Sequence, residues 1–195
     1  FRRVSLSETG LSRAELYRRS TMYESQGLVS SLKGPLLAAY LARTGGPVLF
    51  LDADMLVLGP LDDLGELITR HGILLTSHAN VPLPFAAGGM GPEQTFLRAG
   101  VFNGGFLGVS PKAGEFLRWW SERAARDCVP ALDRGIFMSQ NWLTLVPALF
   151  GHQGDDFTLA LPQAEPGVAG HVVAHLDGGF PGADHVEGGR ILARE

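Results

Sequence analysis

The sequence predicts an α/β fold in which a mostly parallel sheet is flanked by helices. Residues 47–51 (PVLFL) form a short apolar run between Gly45-Gly46 and Asp52, which is typical of a strand buried on both faces of a parallel sheet. Helical patterns precede and follow this run. The composition, 45% hydrophobic and 18% charged residues, is that of a globular protein. These observations favour one folded α/β domain.

Two helices are predicted before this strand. Ser12 lies three residues before Glu15, the pattern of a capping box, and it predicts a helix over residues 12–25. Residues 33–42 (KGPLLAAYLA) carry Pro35 early and end before Gly45-Gly46. Proline in the first turn and glycine after the last turn indicate a second helix.

The pattern after the strand continues the alternation of helices and strands. We expect a helix over residues 61–70, a strand over 72–76, a loop over 80–92, a strand over 101–109 interrupted by Gly104-Gly105, a helix from Ser110-Pro111 to about Arg126, and a helix over 136–150 that Pro147 kinks or ends. In the glycine- and proline-rich remainder, only residues 157–161 and 189–193 are predicted strands.

The 195 residues are expected to form a single partial domain. Residues 1–27 would be an opening segment and helix, 28–150 the core, and 151–195 a glycine- and proline-rich C-terminal part. The chain begins with Phe1 rather than Met and ends at Glu195 after what resembles an unfinished strand. We therefore expect the domain to be truncated at both ends.

Charge and hydropathy argue against several function classes. The net charge of −4 and the absence of clustered Lys and Arg argue against a nucleic-acid partner. No apolar run reaches the roughly 18 residues of a membrane span, and no signal peptide opens the chain. Cys128, the one cysteine, has no internal disulfide partner, which suits a reducing compartment. The expectation is a soluble, cytoplasmic protein.

Asp52-Ala53-Asp54 is the strongest candidate for a functional site. The tripeptide follows the apolar strand directly, and ligands of open α/β sheets bind beyond the carboxyl ends of strands. Two carboxylates there suit Mg²⁺ or Mn²⁺, which keep coordination positions open for substrate phosphates. Taken alone, such an acidic pair is also compatible with a solvated turn.

Three further motifs follow the order of a known family. Lys33 (SLKGPLL) precedes VLFLDADMLVLGPLDDL, Asn103-Gly104-Gly105 follows in VFNGGFLGV, and Gln140 lies in FMSQNWL. Together they resemble the GT-A-fold glycosyltransferases, especially the bacterial relatives of family eight, which include glycogenin and lipopolysaccharide galactosyltransferase-like enzymes. The resemblance covers residues 28–150 and implies a GT-A-like (Rossmann-like) fold.

The resemblance implies a role for each motif. Asp52 and Asp54 would hold Mn²⁺ or Mg²⁺ and, with Ala53, contact a nucleotide-sugar donor, for which the resemblance implies a UDP-sugar. Lys33 would reach the phosphate or sugar of the donor. Asn103, beside Gly104 and Gly105, would bind a sugar hydroxyl, and Gln140 would lie near the transferred sugar, so these two are the candidate catalytic residues. The sugar would pass to a hydroxyl acceptor on a glycan, a lipid-linked sugar or a protein.

The sequence departs from the family pattern in three ways. Ser139 stands where the family has an aspartate before the glutamine, which leaves open whether catalysis needs that carboxylate in this branch. The strand that binds the nucleotide base is not in the chain. The family's third metal ligand is a histidine, for which the candidates are a residue beyond Glu195 and, second, His175; His171 and His185 are interpreted as loop histidines.

Each site residue also has a purely structural interpretation. Lys33 could be an exposed lysine at a helix start, Asn103 could occupy a left-handed bend beside Gly104, and Gln140 could be a polar residue of a first helical turn. Asp62-Asp63 are interpreted as helix-start charges. Trp119 and Trp120 are interpreted as core residues.

Two other functions remain open. A haloacid dehalogenase-like phosphohydrolase would use Asp52 as its nucleophile, although Met55 and the apolar residues after it differ from that family's turn. The second alternative is a nucleotide-sugar-binding domain without catalysis. Ser139 supports it, because such a domain does not need the aspartate that the family has at this position.

Overall fold

A computed structural model describes residues 5–57, 60–79, 81–83, 91–151 and 173–175, the last three by their backbone alone. Its α-helices are α1 (Arg13–Met22), α2 (Ser25–Thr44), α3 (Asp62–His71), α4 (Pro92–Ala99), α5 (Gly114–Ala124) and α6 (Val146–Phe150). Its strands are β1 (Val48–Leu51), β2 (Met55–Val57), β3 (Ile73–Ser77), β4 (Phe102–Val109), β5 (Pro130–Ala131), β6 (Ile136–Phe137) and β7 (Val173–His175). Within these ranges, none of the helices has the length and apolar character needed to cross a membrane.

The first two helices are confirmed, but Pro35 has a different place from the one predicted. Helix α1 begins after Ser12, whose hydroxyl accepts from the Glu15 amide at 3.1 Å. Helix α2 starts at Ser25, so Pro35 lies in its interior. A proline there cannot donate to the carbonyl four residues earlier, and the buried Arg19 guanidinium donates to that Ser31 carbonyl instead. This substitution of donor explains how α2 continues through Pro35.

The central sheet has the order β1-β4-β3, and all its pairs are antiparallel. The prediction of a mostly parallel sheet is therefore not met among the described strands, because β4 lies between the other two and runs in the opposite direction. Strands β1 and β3 consequently run in the same direction. Their carboxyl ends lie at the same edge of the sheet as the beginning of β4, so the edge expected to carry the site is retained.

Helices cover both faces of this sheet, as predicted. On one face, α2 and α5 pack against β3 and β4 through a core that includes Leu37, Leu75, Leu107, Phe116 and Trp120. On the other face, α3 packs through Leu64, Leu67 and Ile68 against Leu74 and Phe106. The buried side chains of both layers, at roughly 25 cal/mol for each Å² of apolar surface removed from water, provide the main drive for folding.

The segment 136–150 is not the single helix that its apolar pattern predicts. It contains β6, a 3₁₀ helix over Asn141–Leu145 and the short α6, which has Pro147 near its start. Met138 adopts a left-handed backbone with φ of 53°, and this turn separates β6 from the helical turns. Helix α4 and strand β7 were not predicted. The predicted strands at 157–161 and 189–193 lie outside the described residues.

Candidate functional site

An irregularity in β4 carries the Asn103-Gly104-Gly105 motif. Leu75 of β3 pairs with Leu107, but the next residue, Thr76, pairs with Asn103. Residues 104–106 are therefore extra relative to β3, and the register shift forms a bulge. Bulges re-aim backbone groups and side chains, and they occur often beside functional sites. Here the extra residues lie opposite the end of β1, where Leu51 pairs with Phe106.

Asp52 contacts this bulge at the end of β1. Its amide donates to the Gly105 carbonyl at 2.8 Å, and its own carbonyl closes a turn by accepting from the Met55 amide at 3.1 Å. A Cβ atom on Gly105 would lie 2.8 Å from Asp52 Oδ2, which is closer than non-bonded atoms allow. Glycine at position 105 therefore makes room for the Asp52 carboxylate.

Lys33 is buried in the middle of α2 with a relative accessibility of 8%, so it is not an exposed lysine at a helix start. Its ammonium Nζ lies 2.7 Å from Asp52 Oδ1 and 2.8 Å from Oδ2. The same Nζ donates to the Gly104 carbonyl at 3.0 Å and lies 4.9 Å from the centre of the Phe50 ring. Two oxygen-bearing partners and an aromatic face thus hold the ammonium in place.

The side chain of Gln140 bridges two backbone groups. Its Oε1 accepts from the Gly104 amide at 3.0 Å, and its Nε2 donates to the Ala99 carbonyl at 3.0 Å. It does not cap the 3₁₀ helix that follows. Gln140 thus stands at the start of a helix, but its side chain connects other segments of the chain. A contact to a transferred sugar stays a prediction.

Asn103 turns its side chain onto its own strand. Its Oδ1 accepts from the Gly105 amide at 2.7 Å, and it would lie 3.0 Å from a Cβ on Gly105. The left-handed interpretation is wrong, because Met138 is the one non-glycine residue with positive φ among those described. The hydrogen bond to Gly105 uses only Oδ1 of Asn103. A contact between the Nδ2 amide of Asn103 and a sugar hydroxyl stays a prediction.

These contacts join into one continuous polar chain. It runs from the Ala99 carbonyl through the Gln140 amide group to the Gly104 peptide, then through the Lys33 ammonium to the Asp52 carboxylate. Four motifs separated by up to about a hundred residues along the chain therefore meet at one edge of the sheet. Ala53 lies exposed in the turn beside them, and Asp54 is half-buried.

Ser139 contributes to packing. It is buried, its hydroxyl lies 2.7 Å from the Ser30 hydroxyl of α2, and its carbonyl accepts from Trp120 Nε1 at 2.8 Å. Trp120 is buried in the core, and Trp119 packs at its edge, as predicted. Asp62 and Asp63 begin α3, as predicted. The segment before Gln140 is thus anchored to α2 and α5.

Asp52 and Asp54 contribute two carboxylates to this edge of the sheet, and carboxylate oxygens are donors that a divalent cation takes. Among the described residues there is no group of three or more His, Cys, Asp or Glu side chains able to hold a metal. Strand β7 pairs with β2 so that His175 is opposite Met55, the residue after Asp54. The backbone of His175, one of the two candidates for a third metal ligand, therefore runs beside the tripeptide. His171 and His185 lie outside the described residues.

Other polar groups lie near the site. The hydroxyl oxygens of Thr76 and Ser77, at the carboxyl end of β3, are buried without a hydrogen-bond partner among the residues that the structure describes. The Ala99 carbonyl, which holds Gln140, has no signature in the sequence, since every residue carries a carbonyl. Phe50, the aromatic residue two positions before Asp52, is a feature of the sequence that could have indicated an aromatic contact for the Lys33 ammonium.

Cys128 is not a candidate nucleophile. It is buried, and burial raises the pKa of its thiol to about 11. Because the thiolate is the reactive form, the thiol is unreactive at neutral pH.

Comparison of the chain with family models, curated proteins and solved structures finds no match.

Proposed function

We propose that the protein is a glycosyltransferase that moves a sugar from a nucleotide-diphosphate donor, a UDP-sugar, to a hydroxyl acceptor. The proposed fold is GT-A-like, and the proposed donor site lies at the edge of the sheet formed by Lys33, Asp52-Ala53-Asp54, the Asn103-Gly104-Gly105 bulge and Gln140. A divalent cation, Mn²⁺ or Mg²⁺, would bind at the two aspartates.

The observation that supports this proposal is the meeting of the four motifs in one hydrogen-bonded chain. Lys33 and Gln140 are 107 positions apart in the sequence, yet both bond the Gly104 peptide. A lysine that only faced solvent, or a glutamine that only began a helix, would not converge on the peptide beside Asp52. This convergence favours a shared function over four independent structural roles.

The donor set is compatible with a cation that binds together with phosphates. Mg²⁺ at phosphate-binding sites is commonly held by one or two carboxylates, with substrate phosphates and water completing its coordination. Asp52 and Asp54 provide that number of carboxylates, one on each side of the exposed Ala53. When bound, the cation would neutralise the charge that develops on the departing diphosphate.

The residues of the chain have separate tasks in this proposal. Asp52 and Asp54 bind the cation, and the Lys33 ammonium attracts the diphosphate. Gly105 leaves the space that the Asp52 carboxylate occupies. Gln140 fixes the Gly104 peptide, so that the groups facing the donor are placed before it arrives; such preorganisation lowers the cost of binding.

The test is donor binding and turnover in the purified protein with Mn²⁺. We expect UDP to bind in calorimetry, and we expect the double substitution Asp52→Asn with Asp54→Asn to reduce Mn²⁺-dependent hydrolysis or transfer of UDP-sugars by roughly 100-fold or more. Asp62→Asn is the matched control, because Asp62 is an exposed aspartate at the start of α3 and should leave binding and turnover unchanged.

Other results would contradict the proposal in different ways. Unchanged turnover in the double variant would overturn the assignment of the two aspartates. Hydrolysis of a generic phosphoester that Asp52→Asn abolishes would favour the phosphohydrolase. Binding of UDP without any turnover of UDP-sugars would favour a binding domain.

A further inference from the structure

The Lys33 ammonium is a buried charge whose one carboxylate partner among the described residues is Asp52. The ammonium contacts both oxygens of that carboxylate, at 2.7 and 2.8 Å. Its other contacts, the Gly104 carbonyl and the Phe50 ring, are neutral. A buried charge requires a counter-charge, because its transfer from water is costly. Asp52 therefore neutralises Lys33 in the free protein.

A divalent cation would share the same carboxylate. Mg²⁺ binds oxygen at about 2.1 Å, so a cation on Asp52 would lie within roughly 5 Å of the ammonium, a distance at which charges interact strongly in a partly buried site. The cation would repel the ammonium and draw the Asp52 charge away from it. For the bare cation, binding thus leaves Lys33 poorly neutralised.

A diphosphate removes this conflict. Its oxygens can coordinate the cation, and its negative charge can replace Asp52 as the counter-charge of Lys33. The cation and the diphosphate should each strengthen the binding of the other, and this coupling is reciprocal because binding free energies are state functions.

We propose that Lys33 makes the Asp52-Asp54 site selective for a metal–diphosphate complex over the bare divalent cation. The inference rests on the proposed function for the location of the cation. It differs from that function in assigning Lys33 an unfavourable effect on the cation alone. Lys33 thereby acts as the residue that couples the two halves of the ligand.

The experiment is a titration of the protein with MnCl₂ without nucleotide, followed by calorimetry and by the electron spin resonance of free Mn²⁺. We expect Lys33→Met and Lys33→Gln to bind Mn²⁺ about 10-fold more tightly than the wild type, within the usual range of coupling between two ligands. Lys33→Arg keeps the charge and should not gain affinity. Lys112→Met is the matched control, because Lys112 is an exposed lysine whose Nζ donates to the Arg70 carbonyl.

Lys33→Gln keeps a hydrogen-bond donor for the Gly104 carbonyl, so it tests the proposal if Lys33→Met does not fold; circular dichroism checks the fold of each variant. The proposal is overturned if the folded neutral variants bind Mn²⁺ no more tightly than the wild type. A gain in the neutral variants without UDP binding by the wild type in the presence of Mn²⁺ would overturn both the selectivity for a metal–diphosphate complex and the proposed donor. UDP binding by the wild type without that gain would leave the proposed function standing and refute the inference.

Discussion

At the scale of single residues, the fold and the candidate site depend on one long side chain, that of Arg19, and on the absence of a side chain at Gly105. Arg19 donates to the Ser31 carbonyl that Pro35 leaves without a helical donor, and the absence of a side chain at Gly105 admits the Asp52 carboxylate. Arg19 is itself held by Glu15, whose Oε1 accepts from its Nε at 2.8 Å. A surface carboxylate therefore supports the continuity of α2.

Glu15 makes the stability of the protein sensitive to acid. Hydrogen bonds from Arg18 lower the pKa of Glu15 to about 2, with help from Arg19 and against the opposing effect of burial. Because the folded-state pKa is depressed from 4.5, the stabilisation is present above about pH 4.5 and is lost as the pH falls towards 2. Glu15→Gln should lower the free energy of unfolding at pH 7 by about 1 kcal/mol, a small value because water screens the pair.

The measurement is urea unfolding of wild type and Glu15→Gln at pH 7 and at low pH, where the difference between them should shrink. Glu24→Gln is the control, since Glu24 is exposed and its side chain does not cap α2. A difference that stays constant down to pH 2 would show that the ion pairs of Glu15 do not contribute.

At the scale of elements, β4 has two distinct halves. Its first half holds the bulge and bonds to α2 and to the segment at Gln140. Its second half is regular and buried, and there α3 approaches closely. A Cβ on Gly108 would lie 2.5 Å from Ile68 Cγ1 and 2.9 Å from Leu74 Cβ. The close packing of α3 on β4 thus depends on glycine at this position.

Gly108→Ala should destabilise the protein by about 1–3 kcal/mol, because overpacking forces a shift of α3 or of the neighbouring strand. Gly65→Ala is the matched control in α3, where a Cβ would meet no atom within 4 Å. It should instead stabilise the helix by up to about 1 kcal/mol. Thermal or urea unfolding measures both variants, and equal effects of the same sign would contradict this view of the α3–β4 contact.

At the scale of the whole molecule, the candidate site depends on the docking of distant segments. Residues 139–140 reach the site because Ser139 is bonded to Trp120 of α5 and to Ser30 of α2. Gln140 then joins the start of β4 to the end of α4. The core between the sheet and these helices therefore fixes the site geometry as well as the fold.

Gln140→Leu should remove this connection. It leaves the buried Gly104 amide and Ala99 carbonyl without side-chain partners, at an expected cost of about 2 kcal/mol in the free energy of unfolding. Gln140→Glu keeps an acceptor for the amide and should cost less. Gln26→Leu, an exposed position on α2, should have little effect. Urea unfolding compares the three, and an equal cost for Gln140→Leu and Gln26→Leu would refute the bridging role.

The sequence by itself determined the local elements and the membership of the site. The Ser12 cap located the start of α1, Gly45-Gly46 located the end of α2, and the acidic pair Asp62-Asp63 indicated the start of α3. These signals act within a few residues. The apolar run located β1 and placed Asp52 at its end. The order of Lys33, Asp52, Asn103-Gly104-Gly105 and Gln140 selected the positions that the structure brings together.

Only the tertiary structure decided the strand directions, the length of α2 and the contacts of each site residue. A buried strand has the same apolar pattern in either direction, so β4 could not be recognised as antiparallel. The apolar residues of 136–150 favour a helix locally, but pairing of β6 with β5 and packing on α5 override that preference. Pro35 could stand inside α2 because Arg19, from another helix, satisfies Ser31. In each case the deciding interaction joins residues far apart in the chain, and local patterns carry no information about it.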